Sequence, residues 1–102
     1  MKIIEKLSNM IEEEIHDAEK YARCALNNKE ERPSLAQTFY TLATDELKHM
    51  TILHDEVTKI INDYRAQGNE PPAEMLAVYD YLHKRHIEHA TNVKIIMESY
   101  KA

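Results

Sequence analysis

The chain of 102 residues holds a single glycine, Gly68. Tight β-hairpin turns draw on glycine for backbone with positive φ, so this scarcity leaves almost no room for a multi-stranded antiparallel sheet. Gly68 lies in Gln67-Gly-Asn-Glu-Pro-Pro72, which also carries two of the three prolines. The third proline ends the polar run Asn27-Asn-Lys-Glu-Glu-Arg-Pro33. Glycine just past a helix end and proline at a helix start punctuate helical chains. These two stretches divide the chain into three uninterrupted segments, roughly 2–28, 33–66 and 72–101, each predicted as one long helix. The content of Ala, Leu, Ile, Met, Glu and Lys agrees with that reading. No linker is long enough to separate domains, so residues 1–102 read as a single all-α unit.

Apolar residues recur at spacings of three and four in every segment, which sets each series on one helix face. The first series is Ile4, Leu7, Ile11, position 14, Ala18, Tyr21 or Ala22, and Ala25. The second is Leu35, Phe39, Leu42, position 46, position 49 or 50, Leu53, Val57, Ile60 and Tyr64. The third is Met75, Tyr79, Leu82, position 86, position 89 or 90, Val93, Met97 and Tyr100. Four interruptions stand out, namely Glu14, Glu46, His49 and His86. A carboxylate on an apolar face must be paired, neutralised or bound to a cation, since burying it alone is costly.

The turn between the first two segments is short and centred near residue 31, so they should form an antiparallel hairpin. Glu14 lies 17 positions before that centre (31 − 14), which levels it with position 48 (31 + 17), between Glu46 and His49. Positions i and i+3 of a helix share a face, so Glu46 and His49 can reach one ion together, with Glu14 opposite. Mixed carboxylate and imidazole ligation inside a helical bundle suits iron or manganese.

Glu14, with Ala18 and Tyr21 after it, followed by Asp45-Glu-Leu-Lys-His49, resembles half of a ferritin-like di-iron carboxylate protein. Proteins of that family carry a lone Glu on two helices of a four-helix bundle and Glu-x-x-His on the other two. The chain is similar to half-ferritins such as encapsulated ferritins and small rubrerythrin-like proteins, in which two hairpins pair. That resemblance implies a homodimer or higher homo-oligomer, with a ferritin-like four-helix bundle built from two hairpins and an additional C-terminal helix on each chain. It implies a di-iron site at the dimer interface, with manganese as the alternative ion, held by Glu14, Glu46 and His49 of each chain. It implies oxidation of Fe(II) by dioxygen or peroxide, a ferroxidase-type oxidoreductase serving iron handling or protection from oxidative stress. Tyr21 occupies roughly the place where relatives carry a tyrosine near the metals. The third helix has no second Glu-x-x-His and instead presents His83, His86 and His89 at i, i+3 and i+6.

Other residues read more plainly. His86 is expected to be a core histidine or an additional ligand. His89 is level with position 50 across the second turn and is expected as a partner behind the site. His83 flanks the third stripe, and His16 and His54 fall off theirs, so His16 and His54 are expected to face solvent. The single cysteine, Cys24, cannot form an internal disulfide and reads as a packed small residue. The net charge of −5 without a basic cluster argues against nucleic acid as a partner. No apolar run approaches the roughly 18 residues of a membrane span, and the early charges of Met1-Lys-Ile-Ile-Glu-Lys6 do not suit a secretion signal, so a cytoplasmic protein is expected. The competing reading is a metal-free all-helical assembly module in which Glu14, Glu46 and His49 specify helix register.

Overall fold

The computed structural model describes residues 2–102, which form three helices: α1 (Lys2–Asn28), α2 (Pro33–Ala66) and α3 (Ala73–Lys101). Their bounds follow from local chemistry. Pro33 opens α2, where its missing N–H goes unneeded and its fixed φ suits the first turn. The end of α2 is a Schellman motif. Gly68 takes φ +80°, its N–H donates to Arg65 O, and Asn69 N–H donates to Tyr64 O. Pro72 then caps α3 in extended conformation (φ −53°, ψ 137°). The one glycine therefore stands at the one residue of positive φ among those described.

The helices run up, down and up in a rod of 57 × 19 × 18 Å. α1 packs along both α2 and α3, whereas the backbones of α2 and α3 stay further apart. Small residues let α1 and α2 approach closely near their turn, with Ala18, Ala22, Ala25, Ala36 and Ala43 all without solvent exposure. Long side chains bridge α2 and α3 instead. Tyr40 stacks on Tyr100, and Tyr79 Oη lies 3.1 Å from His54 Nε2. Ile15, Val57 and Val93 are the largest fully buried side chains, one from each helix.

The most buried line of α1 is Ile4, Ser8, Ile11, Ile15, Ala18, Ala22 and Ala25, which follows the expected line except that Ser8 and Ile15 take the places of Leu7 and position 14. In α2 the buried residues include Ala36, Ala43 and Leu47, each one position from the expected Leu35, Leu42 and Glu46. The cause is that α1 has neighbours on two sides, so its deepest residues point between them. Leu7, Glu14 and Tyr21, with Phe39, Leu42, Glu46 and Leu53, lie half-buried along one flank of the hairpin.

Candidate metal centre

The short turn of residues 29–32 fixes the level of α1 against α2, held by Arg32 N–H donating to Asn28 O. At the level expected from that turn, His49 Nδ1 is 3.5 Å from Glu14 Oε2 and 3.6 Å from Glu46 Oε2. One ligand atom from each of Glu14, Glu46 and His49 lies within 4.8 Å of the other two, which is close enough to share an ion. Among the described residues no other set of three acidic, histidine or cysteine side chains gathers so tightly.

The electrostatics of this cluster match its geometry. Hydrogen bonding to the neighbouring Glu14 carboxyl, burial and Glu14's negative charge together push Glu46 up to about 7, against the opposing pull of His49. Two carboxyl groups held this close favour a shared proton or a cation between them. Exposure shows that the cluster lies on a surface of the single chain. Glu14 and Glu46 side chains are 27% and 19% exposed, and His49 is 54% exposed.

α3 does not cover it. Successive residues turn about 100° around a helix, so Glu12 and Glu14 point to nearly opposite sides of α1. Glu12 faces α3, where its carboxylate lies 3.3 Å from both His86 Nε2 and His89 Nδ1. His89 Nε2 pairs with Glu19 at 2.7 Å. His86 and His89 thus belong to the α1–α3 interface, and neither is brought together with Glu14, Glu46 and His49. Tyr21 is on the same flank as Glu14, two turns along, and stacks on Phe39 with ring centroids 6.3 Å apart.

The flank around the cluster is apolar and open. Ile3 (46% exposed) and Met10 (39%) lie on the Glu14 side of α1, at i and i+7, with Glu14 at the next i+4. Leu35 (39% exposed), Leu42 and His49 recur every seven residues along α2.

His16 is exposed, as expected, and Cys24 is a partly buried free thiol. His54 departs from expectation. It is half-buried between α2 and α3, stacked on His83 with centroids 4.4 Å apart. Its place off the apolar stripe of α2 gave it the look of a surface residue, whereas its partners Tyr79 and His83 come from α3. Counting levels across the second turn, centred at position 69.5, sets His54 opposite position 85, two residues from His83. Comparison with family models, curated proteins and solved structures finds no match to this chain.

Proposed function

We propose that the chain is a ferritin-like metal protein that pairs with a second copy along the Glu14 flank and oxidises Fe(II) with dioxygen or peroxide. The observation that carries this reading is the convergence of Glu14, Glu46 and His49 within 4.8 Å. The donor set fits iron or manganese, because hard carboxylates with one imidazole suit these ions. Three ligands are too few for two ions, and the cluster lies on an open flank with exposed Ile3, Met10 and Leu35 around it. A second copy facing this flank would double the set to four carboxylates and two imidazoles and cover those apolar side chains.

In that arrangement each residue has a distinct task. Glu14 and Glu46 would neutralise the charge of bound cations, which would in turn relieve the repulsion between the two carboxylates. His49 fixes one end of the cluster through Nδ1, on the same helix face as Glu46. The apolar flank excludes bulk water from the paired site, which strengthens the electrostatic hold of the carboxylates. Bound iron supplies the electrons for reduction of the oxidant. Tyr21, packed on Phe39, stands two helical turns from Glu14 as the nearest aromatic group of α1 on that flank.

The alternative is a metal-free helical assembly module in which these polar residues set the register, favoured by the contacts of His49 to both acids. Protein purified without chelators, analysed for iron per chain and for solution mass, decides between them. About one iron per chain in a dimer, with Fe(II) oxidation followed by absorbance, supports the proposal. A folded species that is strictly monomeric and carries metal would refute the shared site, and a dimer indifferent to metal would establish the register device.

A further inference from the structure

α3 carries a second group of chemistry that the Glu14 cluster does not use. His54 from α2 and His83 and His86 from α3 line one cavity of about 170 Å³ between the two helices. No carboxylate lines it, and Lys94 stands at its wall. We propose that this cavity is a second metal site, distinct from the Glu14 cluster, that takes a divalent transition cation of the zinc and copper class through His54, His83 and His86.

Three features support the assignment. Neutral imidazole is the metal-binding form, and burial disfavours the charged form of both His83 and His86. His86 Nε2 lies 3.3 Å from Glu12 Oε2. That contact sets a carboxylate beside one ring nitrogen of His86. A carboxylate behind one ring nitrogen, fixing the tautomer and raising the basicity of the other, is the usual support of a metal-bound histidine. Finally, a donor set of imidazoles without carboxylates selects borderline cations such as Zn²⁺ and Cu²⁺ over Mg²⁺ and Ca²⁺, the reverse of the acid-rich Glu14 cluster.

The three rings have not converged as the Glu14 cluster has. His54 and His83 stack 4.4 Å apart, and His54 Nε2 is 3.1 Å from Tyr79 Oη. Binding therefore turns the His54 ring out of the stack and exchanges the Tyr79 hydroxyl for the ion. The cavity supplies room for that turn. Because α2 and α3 otherwise meet only through long side chains, an ion held by both helices ties them together.

The test uses the full chain with Glu46→Gln and His49→Gln, which removes the first cluster and keeps failure of the two sites distinguishable. Zn²⁺ is titrated calorimetrically, with Mg²⁺ as control, while the histidine ring signals are followed by NMR. The expected result is one Zn²⁺ per chain, shifts confined to His54, His83 and His86, and a Tm that rises with Zn²⁺ concentration. His54→Gln and His83→Gln, both at half-buried positions, should each weaken Zn²⁺ binding at least tenfold, and His16→Gln should not. Zn²⁺ affinity unchanged in His54→Gln and His83→Gln, or lost equally in His16→Gln, would overturn the assignment.

Discussion

Glu14 on α1 and His49 on α2 meet at 3.5 Å on the flank of the hairpin that α3 leaves uncovered. The first prediction follows from that meeting. Glu46→Ala or His49→Ala should abolish iron binding and Fe(II) oxidation, and Glu14→Ala should do the same or leave a partly filled site. In the proposed paired site each change would delete two ligands, so the loss of affinity should exceed the roughly 10–100-fold that removing a supporting partner costs. Cys24→Ser and His16→Gln, away from the cluster, should retain full metal content. Elemental analysis of all five proteins beside the wild type checks this, and iron lost from the Cys24 variant would move the site elsewhere.

Without metal, the same acids should weaken the fold. Glu46 is pushed up to about 7 from an ordinary 4.5, so between these values the folded chain binds more protons than the unfolded one. Stability of metal-free protein contributed by this group is therefore present below about 4.5 and is lost as pH rises through about 7. Glu46→Gln removes the repulsion and should raise the Tm of metal-free protein by several degrees at pH 8, with little difference at pH 5. Equal melting of both proteins at pH 8 would show that the acids do not strain each other.

The histidines of α3 give an opposite pH dependence. Burial holds His83 and His86 below the ordinary 6.5, helped for His83 by His54 and opposed for His86 by Glu12. Asp80 also opposes the shift of His83, while His83, His54 and His89 reinforce that of His86. The unfolded chain then takes up protons first, so their contribution is fully present above about 6.5 and declines as pH falls towards the lower folded values. In a background of Glu46→Gln, melting curves from pH 7.5 to 5.5 should show a falling Tm, and adding His86→Gln should flatten the slope.

Two substitutions separate packing from backbone conformation. Ile15 is wholly buried at the junction of the helices, and Ile15→Ala should cost about 2–5 kcal/mol through lost burial and a cavity. Gly68 has φ +80° and nothing within 4 Å of where a Cβ would stand. Gly68→Ala should therefore cost only the left-handed backbone, about 1–2 kcal/mol. Urea unfolding curves at fixed pH check both values.

The helices were legible because their punctuation is local: Pro33, Gly68, Pro71 and Pro72 act on the residues beside them. The level of Glu14 with His49 was legible because a turn of a few residues leaves one antiparallel register. The choice of neighbour was not. Periodicity marks an apolar face of α1, but it cannot say that α3 lies beside Glu12 and Glu19 and not beside Glu14. For that reason Ile15 and Ser8 are deeper than Leu7, and His86 and His89 of α3 meet acids on the far side of α1. His54 shows the same limit, since its setting is made by Tyr79 and His83 from another helix.

The rod is about three times as long as it is wide, at 57 × 19 × 18 Å. Hydrodynamic drag depends on that shape as well as on mass. Two rods laid flank to flank make a thicker particle of nearly unchanged length, so the frictional ratio falls as the mass doubles. Two rods joined end to end make a longer, thinner particle whose frictional ratio rises. Sedimentation velocity therefore distinguishes a pair that closes over Glu14, Glu46 and His49 from one that leaves them in water.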